Sequence, residues 1–522
     1  MARCVPNTRI TPKVRLGSRL FCCRDVEGVA ITAFVLAFAV YAFSYTVTDP
    51  DLWGHVKFGQ DTWNAGGPLR TDPYSYLTAG QLWINHEWLS EVLFWLAFSA
   101  AGATGLVLLK LSATLFTVSL VCWWLIRRGL DATRIGVLLA LAVLPMNYAL
   151  VTVRPHLFTV AFFAVTILLL ATAEQGKPGT LWLLPPLFAL WANLHGGFLA
   201  AVGVVALWLA ARSLRTLVQS RDFASLLKPA LPIAAALLAT LLNPYGPELW
   251  LFLLRTATVP RPEITEWQAL SIVSVGGALY VALATISLLG FALSRRPRSP
   301  SLIAVWACTA LLPLVAVRHL PLFAVATIVL AGEHAWDAWE RAGHSRSSAP
   351  SRLVIAISLA AALLLLGLSP FRASSFRTSK DNLPFPARAV GLLKAAPIPP
   401  SNLAVDFDWG EYVIWHLGPE FKVSVDGRRE TVYGDAVYQA NLHFMYGQGE
   451  WSALLDSYPT DLALVSKQKA VYNLMLLKPG WVLVYEDPLC AIFAREGSAL
   501  AAEIRNAPVP DLPFDGDGLA FP

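Results

Sequence analysis

Charge is what this chain has least of. Asp, Glu, Lys and Arg together make up 14% of its 522 residues, while hydrophobic residues make up 56% and mean hydropathy is +0.54. A soluble domain carries about a quarter charged residues, so the bulk of this chain belongs in lipid. A formal net charge of +5, with the basic residues in short runs between apolar segments, speaks against a nucleic-acid partner. Cysteine is scarce as well. Cys4, Cys22 and Cys23 lie in a basic N-terminal tail, Cys122 and Cys308 in apolar runs, and Cys490 alone near the C-terminus, which is no disulfide framework. HExxH, GxSxG and P-loop motifs are all missing, so metalloprotease, serine-hydrolase and nucleotide-driven chemistries lack their signatures. No cleavable signal peptide is expected, because the first apolar run is long enough to span and ends in Asp.

What is there is apolar length. Runs at about 28–48, 104–126, 133–153, 156–173, 180–194, 198–213, 229–243, 274–293, 302–317, 320–337 and 352–369 predict a polytopic α-helical membrane protein of about eleven transmembrane helices. Arginine runs alternate between loops, at 127–134, 212–228, 295–298 and 341–352, on the side of the basic tail. By the positive-inside rule the N-terminus is cytoplasmic. The expected location is a bacterial inner (plasma) membrane, crossed many times. Residues 1–27 form the cytoplasmic tail, and 28–369 the membrane domain with an outer loop at 49–91. Residues 370–400 then form a Pro-rich linker. Alternating strand-like and helical runs over 401–497 predict a small extracytoplasmic α/β domain. Residues 498–522, rich in Pro, Asp and Gly, read as a loose tail.

The same orientation puts the reactive side chains outside: Asp49, Asp51, His86 and Glu87 in the long loop, then Arg154, His156, His195, Arg261, Glu263, Arg318 and His319. Asp51 and His55 are four apart and share a face if 52–63 is helical. Polar groups from distant segments meeting at a bundle mouth are how intramembrane sites are built, although each alone reads more readily as a helix cap or a snorkelling arginine. A carboxylate at such a boundary can act as general base towards a hydroxyl. With a second carboxylate it can instead hold a divalent cation, Mg or Mn, here at Asp51 and Glu87. Arg154, Arg261, Arg318 and Lys110 are the cations available to a phosphate.

A first span ending in an acidic pair, a long outer loop with a second acidic motif, many spans and an outer domain together resemble the GT-C superfamily of membrane glycosyltransferases. Protein O-mannosyltransferases, lipid A aminoarabinose transferases and oligosaccharyltransferase catalytic subunits belong there. The resemblance implies sugar transfer from a polyprenyl-phosphate-linked donor that enters from the membrane lipid, to an acceptor left open between glycan, lipid and protein. It makes Asp51 the catalytic base or metal ligand with Asp49 beside it, and Glu87 the second acid, with His86 where lipid A transferases tend to carry Lys. His55, His156, His195, Glu263 and His319 are then expected around the substrate. Asp408-Trp409-Gly410-Glu411-Tyr412 is similar, with changed order, to the acceptor motif of oligosaccharyltransferases, and places Trp409 at the cleft. The competing readings are a transporter or flippase of lipid-linked sugars and a non-catalytic envelope assembly protein.

Overall fold

The structure is a computed structural model, describing residues 26–219, 224–259, 264–342, 351–374, 376–378 and 383–522. Its membrane part is built from α1 (Val26–Ser44), α2 (Asp51–Ala65), α3 (Trp88–Arg127), α4 (Ala132–Ala149), α5 (His156–Glu174), α6 (Leu184–Leu194), α7 (Phe198–Gln219), α8 (Ala224–Ala239), α9 (Pro247–Thr258), α10 (Val275–Leu293), α11 (Pro300–Val315), α12 (Leu320–Arg341) and α13 (Arg352–Ser374). Among the described residues, seven of these are long and apolar enough to cross a membrane: α1, α3, α4, α5, α7, α10 and α13. Every apolar run predicted to span contains a helix, but α6, α8 and α11 are short, so a count of eleven is not established. The 40-residue α3 is two helices in one, broken where Gly102 takes φ 59° and lets an interfacial segment turn into a span.

Helix α12 is the axis of the bundle. Its residues Leu320 through Glu333 are all buried, with α4, α5, α10 and α11 packed around them. At its far end Glu333 pairs with Arg128 and Arg296, Arg341 with Asp337 at 3.0 Å, and Arg134 with Glu340. The arginine-rich loops therefore meet helix-end carboxylates rather than standing as bare charge. The other end of α12 opens beside Arg318, where the polar residues of the remaining loops gather.

The C-terminal domain holds a five-stranded sheet: β1 (Ser401–Val405), β2 (Phe421–Val423), β3 (Leu462–Ser466), β4 (Trp481–Glu486) and β5 (Cys490–Arg495), in the order β2-β1-β3-β5-β4. β1 runs parallel to β2 and β3, whereas β5 is antiparallel to β3 and β4. Five α-helices accompany it in chain order before β3: α14 (Ala387–Ala395), α15 (Gly410–Leu417), α16 (Arg429–Val432), α17 (Asp435–Tyr446) and α18 (Ala453–Asp456). The apolar residues at alternate and consecutive positions of β3 are buried throughout, as a central strand covered on both faces requires.

Two expectations need correcting here. The Pro-rich segment is more than a linker, because α14 within it buries Ala387, Ala389, Val390, Leu392 and Leu393 against the sheet domain. The tail is not loose either: Phe521 is buried, with its ring 5.2 Å from that of Trp53 on α2 and stacked 5.4 Å from Phe376. The domain also grips the outer loop. Val423 on edge strand β2 donates its N–H to Tyr74 O at 3.0 Å and accepts from Tyr76 N at 3.1 Å. An exposed strand edge is thereby closed by the loop's own backbone.

Candidate active site

Asp49 and Asp51 follow α1 across a short extended segment, and Asp51 begins α2, where a carboxylate complements the helix dipole. Two tethers fix that segment. Val47 donates to Val151 O at 3.0 Å, and the Lys110 ammonium, fully buried, donates to Tyr45 O at 2.5 Å and Val151 O at 3.2 Å. The approach to Asp49 and the approach to Arg154 are thus stitched together.

Arg154 is the hub. Its Nε lies 3.1 Å from Asp49 Oδ2, its Nη2 2.8 Å from Asp51 Oδ2 and its Nη1 3.2 Å from Glu266 Oε2. Glu266 turns its other oxygen to Arg318 at 3.3 Å, and the Arg318 guanidinium stacks 4.5 Å from the centre of the Trp267 ring. Burial pushes Glu266 towards neutrality, but Arg318 and Arg154 outweigh it and hold the carboxyl down at about 2. Burial likewise pushes Asp51 up, against the pull of Arg154.

His195, at the end of α6, has its protonation fixed by neighbours. Trp191 Nε1 donates to Thr159 Oγ1 at 3.0 Å, leaving the Thr159 hydroxyl to donate to His195 Nδ1 at 2.7 Å, where the Gly197 N–H also points at 3.0 Å. Nδ1 is therefore the acceptor, and Nε2 carries the hydrogen. Burial, with the Arg318 charge, holds this imidazole well below the usual range, so its 3.4 Å contact with Glu87 Oε1 is a neutral hydrogen-bonding approach rather than an ion pair. His319 is lowered to about 4, again by burial and then by Arg318.

His55 behaves oppositely. Burial would lower it, but the 3.4 Å contact with Glu91 and the charges of Glu87, Glu91 and Asp51 prevail, raising it to about 9. Because the folded value exceeds the unfolded one, the stabilisation is complete below about pH 6.5 and is lost as pH rises through about 9. It amounts to about 3 kcal/mol. Thermal melts in EDTA should therefore fall across that window, and His55→Asn should flatten the fall.

Between these elements and the C-terminal domain lies a cavity of about 1090 Å³. Asp51, His55, His86, Glu87, Arg154, His156, His195, Arg318 and His319 all line it. The domain contributes Asp406, Asp408, Glu411, Arg428 and Lys469 to the opposite wall. Asp408 is raised to about 6 by burial and by Asp406, whose carboxylate sits 3.3 Å from Lys469. Glu411 is held well above the usual carboxylate range by burial and by the Asp51 charge. Among the described residues, His55, Glu87 and Glu91 bring metal-capable atoms within 4.8 Å of one another. Asp51 is outside that group, one of its oxygens being taken by Arg154.

Sequence comparison with family models and with curated proteins finds no match. Solved structures do match. The apo oligosaccharyltransferase of Archaeoglobus fulgidus superposes with TM-score 0.55 at 11% identity, over 84% of this chain and 69% of that one. AglB from the same organism, in complex with an inhibitory peptide and a dolichol-phosphate, gives 0.51 at 12% identity with the same coverage. ArnT of Cupriavidus metallidurans, in the apo state, gives 0.50 at 14% identity, over 88% of this chain and 97% of that one. The chain has the fold of the GT-C glycosyltransferases.

Within that GT-C fold the expected residues distribute unevenly. Lys110 is corrected: it does not line the cavity, and its ammonium is directed at two backbone carbonyls. Lys110→Met should lower stability in a thermal melt by about 2 kcal/mol, since two buried carbonyls lose their hydrogen-bond donor. Trp409 is corrected too. It is buried, donates to Pro384 O at 3.0 Å and is not a cavity residue, whereas Asp408 and Glu411 beside it are. The expected cation pair Asp51 with Glu87 gives way to the grouping of Glu87 with His55 and Glu91. Arg261 and Glu263 lie outside the described residues. Glu266, three positions on from Glu263, meets both Arg154 and Arg318, a placement that was not legible from the sequence alone. Glu91 also went unselected, although its spacing from Glu87 places both on one helix face.

Proposed function

We propose that this GT-C protein moves a sugar from a polyprenyl-phosphate-linked donor to an acceptor hydroxyl. One observation carries the reading: Asp51, Glu87, His195 and Arg318, scattered over 268 positions of sequence, line a single cavity. Asp51 takes the proton from the acceptor hydroxyl, its carboxylate oriented by Arg154 at 2.8 Å. Arg318, backed by Trp267 and flanked by neutral His195 and His319, meets the charge that builds on the departing phosphate. Arg154, already engaged by three carboxylates, serves the acid rather than the phosphate. A divalent cation, Mg or Mn, would be held by Glu87 and Glu91, with His55 after loss of its proton, and would supply Lewis-acid charge. A dolichol-phosphate in AglB is the same ligand chemistry on the same fold, and it is what recommends this donor class.

The test is release of polyprenyl phosphate by the purified chain in detergent, from synthetic polyprenyl-phosphate sugars. Turnover needs no second compartment if the chain is a transferase. A flippase would bind the donor in detergent without cleaving it, and that outcome would overturn the proposal.

A further inference from the structure

We propose that Glu411 is a positioning residue for Asp51, reaching out of the C-terminal domain to hold the start of the helix that carries it. The inference rests on the reading of Asp51 as the base. It gives the α/β domain, which already forms one wall of the cavity, a part in directing the base itself.

Glu411 is the second residue of α15, which packs directly on α2, and it is 4% exposed. Its Oε2 accepts the N–H of Gly54 at 3.1 Å. Gly54 lies three residues beyond Asp51, at the position whose N–H is the first in α2 to face an in-helix acceptor, the carbonyl of the N-cap Pro50, so Glu411 supplies that N–H with a second acceptor from outside the helix. The N-cap of α2 is Pro50, whose side chain makes no capping bond; Asp49 takes the first free N–H groups, accepting from Asp51 N at Oδ1 (3.0 Å) and from Leu52 N at its carbonyl (3.3 Å), and Glu411 adds an acceptor from the other domain.

The chain leaves room for nothing else at this joint. A Cβ at Gly54 would overlap the Glu411 carboxyl. A Cβ at Gly427, on the loop after β2, would sit 2.6 Å from Asp51 Oδ1 and 2.7 Å from Glu411 Oε1. Both carboxyls therefore face the same point, and two glycines make the approach possible. The charged groups around Glu411 are Asp51 from α2, Glu91 from α3, and Asp426 and Arg428 from the loop after β2. The geometric consequence is that Asp51 has each oxygen assigned. Oδ2 faces Arg154 in the membrane part, and Oδ1 faces the Glu411 joint with the α/β domain. Its direction in the cavity is set only when both halves are engaged.

Hydrogen–deuterium exchange on the full chain in detergent tests this without any substrate. In Glu411→Ala the α2 segment from Asp51 to Phe58 should exchange about tenfold faster, the loss of one buried hydrogen bond, while β3 is unchanged. Glu411→Gln presents an amide oxygen to the same N–H and should restore protection. Unchanged exchange in Glu411→Ala, or equal loosening in Glu411→Gln, would overturn the proposal. In the donor-cleavage assay Glu411→Ala should lower kcat with donor KM unchanged, and Glu411→Gln should recover most of kcat. A parallel fall in binding would show a merely structural role. If the exchange result holds while Asp51→Asn stays active, the base assignment fails and the joint stands, so the two failures are distinguishable.

Discussion

Asp51→Asn should lower sugar transfer at least about 100-fold, the usual contribution of a positioned general base, with the protein still folded and still binding donor. The substitution is nearly isosteric, and Arg154 keeps two of its three carboxylates, Asp49 at 3.1 Å and Glu266 at 3.2 Å. The hub therefore survives, and so does the fold around it. What is lost is the group able to accept a proton beside the cavity. Burial raises this carboxyl against the pull of Arg154, a shift in the direction that favours a proton acceptor. The measurement is kcat for polyprenyl-phosphate release, set against donor binding and the melting temperature. An equally active Asn variant would remove the base from the mechanism, and an unfolded one would indicate that Asp51 is chiefly a partner for Arg154. Donor KM is informative as well, because Asp51 is placed on the acceptor side of the reaction and its loss should leave donor affinity alone.

The α/β character of the C-terminal domain was legible in the sequence, because short strand-like apolar runs alternate there with helical ones, although β3 and β5 are buried along nearly their whole length and show no in-and-out pattern. Convergence of Asp51, Arg154, His195 and Arg318 was legible as well, since topology alone sends their loops to one end of the bundle. What was not legible depends on direction rather than depth. Lys110 reads in the sequence as a cation available to a phosphate, whereas its ammonium turns to Tyr45 O and Val151 O. Trp409 and Glu411 are two residues apart, and the pattern singled out the aromatic one. Which of them enters the cavity is set by how α15 docks on α2, a contact between segments more than three hundred residues apart. The tail was misread for a related reason: Pro, Asp and Gly argue against regular structure, yet Phe521 finds a pocket beside Trp53 that no local pattern announces. Docking surfaces between domains are where a single sequence says least.

The same docking surface yields the largest stability effect expected in this chain. Arg428→Ala should cost about 3–5 kcal/mol, the penalty for leaving buried carboxylates without their cation. Arg428 is buried, donating to Asp426 through Nε at 2.8 Å and Nη2 at 2.6 Å, and to Asp72 through Nη1 at 2.9 Å. Asp426 and Asp72 are themselves fully buried. The guanidinium lies among the rings of Phe58, Tyr74 and Trp83, 5.0, 4.9 and 4.7 Å from their centres, so it has aromatic faces as well as carboxylates to lose. Because Asp72 belongs to the outer loop and Asp426 to the α/β domain, this arginine bolts one to the other. Asp72 in turn shapes its loop by accepting from Tyr74 N at 2.9 Å and the Thr78 hydroxyl at 2.6 Å. Arg428→Lys should recover only part of the loss, since an ammonium cannot reproduce a planar fork between two carboxylates. Thermal melting in detergent reads the total, and limited proteolysis within 66–87 reads the release of the loop. Combining Arg428→Ala with Asp72→Ala should cost less than the sum of the two, because the second change removes one of the stranded charges. Additive losses, or a loop that stays protected without the arginine, would mean that the strand-edge pairing of Tyr74 and Tyr76 with Val423 holds the two parts together by itself.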